Sequence, residues 1–179
     1  MYEVEMKVRA PHGPVTEALS AADATRIGRV EQTDVYFDAP HRDLAASDEA
    51  LRLREEGNGE SRTVLTYKGP KVDRDSKTRE EFETGIESRE AMEAALLALG
   101  FEATATVEKT RTRYDLDGVT VSLDAVSGVG EFVEAEAAAA EGSIEETRDR
   151  VASALETLDL DPDAQIRTSY LELLLDDGE

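Results

Sequence analysis

The segment Tyr2-Glu3-Val4-Glu5-Met6-Lys7-Val8-Arg9 alternates between apolar and charged side chains. Val4, Met6 and Val8 fall on one side of an extended chain, and Glu3, Glu5, Lys7 and Arg9 fall on the other. This period of two is typical of a β-strand with one face against a core. Pro11 and Pro14 follow directly and end the strand. The segment therefore predicts a strand with one apolar face and one strongly charged face.

Similar segments recur along the chain and predict about eight strands in all. The further strands are predicted at residues 26–38, 50–55, 62–68, 79–87, 104–115, 119–124 and 131–137. Asp117-Gly118 is typical of a two-residue hairpin between two of them. Helices are predicted from about Pro14 to Ala22, from Arg89 to Leu99 after an N-cap at Ser88, from a capping box at Ser143 to about Leu158, and from Ser169 to Leu175. Strands that follow one another with helices between groups favour an α+β fold with an antiparallel sheet.

Charged residues repeat on one face of strand after strand. The groups are Glu3, Glu5 and Lys7; Arg52 and Arg54; Arg62 and Lys68; Arg79, Glu81 and Glu83; Lys109, Arg111 and Arg113; Asp124; and Glu134 and Glu136. A solvated outer face explains any one such strand, because antiparallel sheets often show one face to water. However, like charges adjacent on one strand repel unless opposite charges lie among them. The apolar alternates, such as Leu51 and Leu53, would pack against helices and leave the charged faces turned inward.

A sheet curled so that its charged faces meet would form a barrel with a polar lumen. The carboxylates Glu3, Glu5, Asp124, Glu134 and Glu136 would then repel one another unless they share hard cations such as Mg²⁺ or Mn²⁺. The Lys and Arg residues suit a polyanion with many oxygens. Such a lumen would bind a nucleotide or inorganic triphosphate. On spacing alone, this hypothesis and the solvated-face interpretation both stay open.

Composition excludes several other functions. Twenty Lys and Arg residues stand against 41 Asp and Glu residues, so the formal net charge is −21 and nucleic acids and anionic lipids would be repelled. The chain contains no Cys and only two His, which excludes thiolate zinc sites and Cys nucleophiles. No apolar run is long enough to span a membrane and the N-terminus lacks an export signal, so we expect a soluble cytoplasmic protein. The length of 179 residues predicts one domain over residues 1–179.

The acidity also suggests adaptation to high salt. Only five of the cations are Lys, and acids crowd segments such as residues 141–149 and 159–163. Molar salt would screen the self-repulsion within about 3 Å. We therefore interpret the composition as halophilic, with an ordinary acidic protein as the alternative.

The motifs, taken in order, resemble the CYTH or triphosphate tunnel metalloenzyme superfamily. Glu3-Val4-Glu5-Met6-Lys7 is similar to its N-terminal Glu-x-Glu-x-Lys signature. The motifs that follow in family order are Gln32 to Asp38, Leu51 to Arg54, Leu65 to Pro70, Arg79 to Glu81, Glu108 to Arg111, Leu123-Asp124 to Gly130-Glu131-Phe132, Glu134 to Glu136 and Ser169 to Leu174. Within the superfamily, the chain looks most similar to the class IV adenylyl cyclase (CyaB) branch. The features that carry this likeness are Lys68-Gly69-Pro70, the compact size and the last motif. The resemblance implies an eight-stranded antiparallel tunnel that binds a triphosphate with a divalent metal, with helices packed outside.

The resemblance also implies roles for individual residues. The implied metal ligands or their supports are Glu3, Glu5, Asp124, Glu134 and Glu136. The implied triphosphate-binding residues are Lys7, Arg52, Arg54, Lys68, Arg79, Lys109, Arg111 and Arg113. Those that would take part in catalysis are Glu3, Glu5, Lys7, Lys109 and Glu134. The implied cofactor is Mg²⁺ or Mn²⁺.

Three functions remain open at this point. A cyclase would convert ATP to cyclic AMP and pyrophosphate, and a triphosphatase would hydrolyse tripolyphosphate, thiamine triphosphate or a nucleoside triphosphate. The paired Glu134 and Glu136 also occur in relatives that hydrolyse triphosphates. A non-catalytic nucleotide- or polyphosphate-binding module is the third. Pairing of two copies into a homodimer through an exposed strand or helix is compatible with the sequence.

Overall fold

The computed structural model describes residues 1–177, whose eight strands form a closed antiparallel barrel. The strands are β1 (Tyr2–Arg9), β2 (Thr25–Asp38), β3 (Ala50–Gly57), β4 (Ser61–Lys68), β5 (Lys77–Ile86), β6 (Glu102–Leu116), β7 (Val119–Val126) and β8 (Gly130–Ala139). Around the barrel the order is β1-β5-β4-β3-β2-β6-β7-β8. The predicted α+β class and the eight-stranded antiparallel barrel are therefore confirmed.

The N-terminal strand β1 closes the barrel by pairing with two strands that are distant in sequence. It pairs with β8 along its whole length, from Tyr2 opposite Ala139 to Arg9 opposite Phe132. Its pairing with β5 is shorter and runs only from Tyr2 to Glu5. Because β1 lies between these strands, the charged faces of all three meet at one side of the lumen.

The main apolar core lies between the barrel wall and the helices, outside the lumen. The helices are α1 (His12–Ala21), α2 (Arg89–Ala98), α3 (Ile144–Thr157) and α4 (Tyr170–Asp177). Val4, Met6 and Val8 pack with Leu19 of α1 and Leu155 of α3. A smaller cluster packs Leu96 of α2 on Leu53 and Phe37. The apolar strand faces thus point outward, as the alternation predicts, and the charged faces are left for the interior.

Helix α4 covers one end of the barrel. Its first residue, Tyr170, packs with Val107, Val126 and Phe132, and Leu171 and Leu174 pack against the same cluster. The Tyr170 and Phe132 rings lie 5.0 Å apart between centroids. The helix therefore connects the outside of the barrel to its interior.

Local predictions differ from the structure at several boundaries. Helix α1 begins at His12, two residues before the predicted start, because Pro14 is compatible with the first turn of a helix. The predicted capping box at Ser143 is wrong: this residue ends a 3-10 turn and its hydroxyl donates to the Ala140 carbonyl. The capping box lies instead at the start of α4, where Ser169 and Glu172 each accept the other's backbone N–H. By contrast, Ser88 caps α2 as predicted, by accepting the Ala91 N–H.

Among the described helices, none combines the length and apolar character that crossing a membrane requires.

Candidate active site in the barrel lumen

The lumen contains a cavity of about 300 Å³ with a strongly charged lining. Of the thirteen residues that the sequence nominates, eleven line it: Glu3, Glu5, Arg52, Arg54, Lys68, Arg79, Lys109, Arg111, Arg113, Glu134 and Glu136. The other two, Lys7 and Asp124, are completely buried against Tyr170 and Arg111. The charged strand faces thus converge in one place.

Three carboxylates form the candidate metal centre. Each of Glu3, Glu5 and Glu136 offers an oxygen, and these oxygens all lie within 4.8 Å of one another. Burial, together with the Glu136 carboxylate, raises the pKa of Glu3 to about 11. Without a cation, Glu3 is therefore protonated at neutral pH, which reduces the repulsion among the three carboxyl groups. Glu5 Oε1 is buried without a hydrogen bond, and Lys77 Nζ lies 3.7 Å from it. An unsatisfied buried oxygen among close carboxylates fits a hard divalent cation with oxygen ligands.

The other two nominated carboxylates bind a guanidinium instead. Asp124 accepts both Nε and Nη2 of Arg111, at 2.7 and 2.6 Å, and Glu134 accepts the same Nη2 at 2.8 Å. Burial alone would raise the pKa of Glu134, but Arg111 and Lys7 outweigh it and hold this pKa well below its usual value. The predicted five-carboxylate cluster is therefore divided into the triad and an Arg111-bound pair. Asp124 and Glu134 fix the direction of Arg111, and their roles as metal ligands stay predictions.

A second buried network holds two more cations against the lumen. Asp34 accepts Nε and Nη2 of Arg54 at 2.7 and 2.8 Å, and Lys109 Nζ donates to it at 2.8 Å. Burial and the nearby Arg54 charge lower the pKa of Lys109 to about 7, although Asp34 opposes the shift. Lys109 can therefore exist as ammonium or amine near neutral pH.

Arg52 differs from these cations because no carboxylate of the described residues lies within 4.0 Å of its guanidinium. It is 7% exposed, its Nη2 reaches only Thr66 at 3.3 Å, and its Nε has no partner. Burial would lower the pKa of Arg52, but Asp34 and other acids raise it, so the side chain stays charged. A buried guanidinium with free donors is costly unless an anion binds it.

The remaining cations of the lining form ion pairs that are more exposed than those of Asp34. Lys68 Nζ lies 2.8 Å from Glu81, and Arg79 Nη2 lies 3.4 Å from Asp48. At the other side of the lumen, Glu56 accepts Arg113 at 3.2 Å and Arg62 at 2.6 Å. These pairs balance the charge of the lining. The guanidinium and ammonium groups still keep N–H donors that can bind a ligand.

Lys7 contacts the segment that precedes α4. Its Nζ donates to the Thr168 carbonyl at 2.5 Å and lies 4.2 Å from the centroid of the Tyr170 ring. Burial lowers the pKa of Lys7, partly offset by Glu134 and Glu5. Its predicted roles in substrate binding and catalysis stay predictions, since its present contacts are with the polypeptide.

Sequence reasoning missed several charged residues of this site. Lys77 lines the lumen, and burial lowers its pKa to about 8, but it lies two residues before the predicted start of β5 at Arg79. Its spacing of two from Arg79 was the available signal. Asp34 and Glu56 were missed because their pairing with cations depends on strand register. For Glu56 the available signal was its position two residues after Arg54, on the same face of β3.

Comparison with known proteins agrees with this geometry. A sequence model of the CYTH domain matches residues 1–170. The chain belongs to the CYTH family. A Methanocaldococcus jannaschii protein described as a putative adenylate cyclase is 37% identical over 175 residues, which is 97% of this chain and 98% of that protein. The family assignment from motif order is therefore confirmed.

Solved structures of other proteins share the CYTH barrel. A Pyrococcus horikoshii protein superposes with a TM-score of 0.90 at 37% identity, over 97% of this chain and 98% of its own. A Hippeastrum protein, described as a putative adenylyl cyclase with a dominant triphosphatase activity, gives a TM-score of 0.67 at 19% identity, over 98% and 95%. At that identity the second likeness concerns the fold alone.

Proposed function

We propose that this CYTH protein binds a triphosphate together with Mg²⁺ or Mn²⁺ in its lumen and acts as a class IV-type adenylyl cyclase. The observation that carries the proposal is the juxtaposition of Arg52, a buried guanidinium without a carboxylate partner, with the Glu3–Glu5–Glu136 triad in one cavity. Free cationic donors beside clustered carboxylates suit a polyanion that brings a divalent metal. The name of the Methanocaldococcus relative supports cyclisation as the reaction.

In the proposed reaction, the lumen residues orient the triphosphate and hold its charge. Arg52, Arg54 and Arg111 donate to phosphate oxygens, with Lys68, Arg79 and Arg113 around them. The ribose 3′-oxygen attacks the α-phosphorus, the bond to the β-phosphate breaks, and pyrophosphate leaves while these cations stabilise its charge. Lys109, with a pKa of about 7, accepts the hydroxyl proton as the neutral amine. A metal ion held by Glu3, Glu5 and Glu136 would polarise the reacting oxygens when bound.

The second candidate function is triphosphate hydrolysis by the same groups. It is supported by the nine Lys and Arg residues of the lining, which suit phosphate oxygens whether or not a nucleoside is attached. The Hippeastrum protein's description pairs a cyclase name with triphosphatase activity, so a name does not decide the reaction. Water in place of the 3′-hydroxyl would attack the terminal phosphorus, the bond from that phosphorus to the bridging oxygen would break, and orthophosphate and the diphosphate product would be released.

Product analysis tests both functions. The protein is incubated with ATP, thiamine triphosphate and tripolyphosphate in turn, each with Mg²⁺ or Mn²⁺ in high salt. Cyclic AMP with pyrophosphate supports the cyclase, and orthophosphate supports the triphosphatase. Binding without any product overturns both in favour of a binding module.

A matched pair of variants on β8 tests the metal centre. Glu136→Gln removes a charge from the triad, whereas Glu131→Gln removes one from the exposed residue five positions earlier on the outer face. We expect the first to abolish metal-dependent turnover and the second to retain it. Equal activity of the two variants would remove the triad from the mechanism.

A further inference from the structure

Tyr170 is the point at which the covering helix α4 meets the charged lumen. It is the first residue of α4, is 7% exposed, and lines the cavity. Its ring packs on Phe132, so the side chain is held in one direction. The neighbouring Ser169, Leu171 and Glu172 line the same cavity.

The Tyr170 hydroxyl is joined to a nominated triphosphate-binding residue through one carboxylate. It donates to Asp124 Oδ2 at 2.7 Å. The same Asp124 holds Arg111 through two hydrogen bonds and, at 0% exposure, has no contact with solvent. Loss of the hydroxyl would leave a buried carboxylate oxygen with one donor fewer and loosen the direction of Arg111.

The ring of Tyr170 also lies close to two lysine ammonium groups. Lys7 Nζ lies 4.2 Å and Lys109 Nζ 5.4 Å from its centroid, within the range of cation–π attraction. Lys7 in addition binds Thr168, two residues before the tyrosine. The buried Lys7 and two cations that line the lumen, Lys109 and Arg111, are thus connected to one residue of the covering helix.

We infer that Tyr170 is a positioning residue that couples the seating of α4 to triphosphate binding through Asp124 and Arg111. The inference rests on the proposed function, because it needs a triphosphate in the lumen. A triphosphate bound to Arg111 favours the Arg111–Asp124–Tyr170 arrangement and so holds α4 in place. By linkage, a seated α4 strengthens triphosphate binding by the same factor.

The test compares Tyr170→Phe with Tyr114→Phe, a partly buried tyrosine on the outer face of β6. Tripolyphosphate binding with Mg²⁺ is measured by calorimetry. We expect Tyr170→Phe to raise the Kd about fivefold, the lower end of typical coupling, and Tyr114→Phe to leave it unchanged. An unchanged Kd for Tyr170→Phe, with wild type binding normally, overturns the inference. Failure of wild type to bind any triphosphate overturns the proposed function instead.

A double-mutant cycle distinguishes positioning from a general packing role. If Tyr170 acts through Arg111, Tyr170→Phe should have no further effect on Kd in an Arg111→Lys background. Additive effects would contradict the coupling.

Hydrogen exchange provides a second measurement that does not depend on folding of the Arg111 variant. The Leu173 N–H donates to the Ser169 carbonyl within α4 at 3.0 Å. Tripolyphosphate should slow exchange of the α4 amides in wild type and have little effect on them in Tyr170→Phe. Equal protection in both proteins would overturn the inference.

Discussion

The lumen and the outer surface of this barrel carry charge in different ways. Nine of the twenty Lys and Arg residues line the cavity together with ten of the 41 acids, so the lining is close to neutral. Nearly all of the net charge of −21 therefore lies elsewhere. In the lining most cations are paired with acids at short distances, whereas in the rest of the sequence acids outnumber cations about threefold. The difference indicates that the charges of the interior balance one another across strands, whereas the charges of the exterior are left to the solvent.

The largest expected effect is a loss of stability when Asp34, a buried acid that neutralises two cations, is replaced. Asp34→Asn leaves Arg54 and Lys109 without their shared carboxylate, and breaking a buried ion pair costs about 3–5 kcal/mol. We expect that loss in the free energy of unfolding, measured with urea. The exposed Asp149→Asn on α3 is the control and should change stability by less than about 0.5 kcal/mol. Similar values for the two variants would contradict the distinction between interior and exterior charge.

The second prediction concerns triphosphate binding by Arg52, the lumen cation without a close carboxylate partner among the described residues. Arg52→Ala should weaken tripolyphosphate binding about 100-fold, since two charge-assisted hydrogen bonds are lost. The free protein should lose much less stability than the Asp34→Asn variant does, because Arg52 has no carboxylate within 4.0 Å among the described residues and interacts with Asp34 only at longer range.

The control for this variant is Arg150→Ala, at an exposed position on α3, which should change neither quantity. A destabilised Arg52→Ala protein with normal affinity would mean that Arg52 is structural.

The third effect is a pH dependence that arises from Lys109. Its pKa of about 7 means that the ammonium form is lost as pH rises through 7, and a triphosphate prefers that form. Metal-free tripolyphosphate binding should therefore weaken by about tenfold from pH 6 to pH 8. Calorimetry on wild type and Lys109→Arg checks this, because arginine stays charged throughout. Parallel pH curves for the two proteins would exclude Lys109 as the titrating group.

The smallest effect concerns the exterior and tests the halophilic interpretation. Screening of surface acids should raise the free energy of unfolding by about 1 kcal/mol between 0.1 and 2 M KCl, a shift of about 2–4 °C in Tm. Thermal unfolding at both salt concentrations measures it. Equal or higher stability in dilute buffer would favour an ordinary acidic protein.

Alternation predicted most strands and the charged face of each, because the period of two assigns each side chain to a face. That these faces turn into a closed barrel was implied by the resemblance to the CYTH superfamily, since alternation alone also allowed a solvated outer face. Alternation could not predict partners across strands, which depend on register. Asp34 lies opposite Arg54 only because β2 and β3 pair in that register. For the same reason the sequence did not separate Glu136, which lies opposite Glu5, from Glu134, which binds Arg111.

Identical motifs gave different outcomes at two helix starts. Ser143 and Ser169 are both followed three residues later by Glu, yet only Ser169 forms the capping box. At Ser143 the preceding 3-10 turn offers the Ala140 carbonyl to the hydroxyl. Local competition of this kind is not visible in a four-residue pattern.

The position of β1 has a consequence for how this protein assembles. Glu3 and Glu5 lie on the first strand and Glu136 on the last, so the carboxylate triad straddles the seam at which the cylinder closes. During synthesis, the facing residues of β5 follow the end of β1 after about 70 residues, and those of β8 after about 120, and such long-range pairing slows folding. The triad is therefore complete only in a finished molecule, and a divalent ion captured there would fasten the two ends of the sheet together.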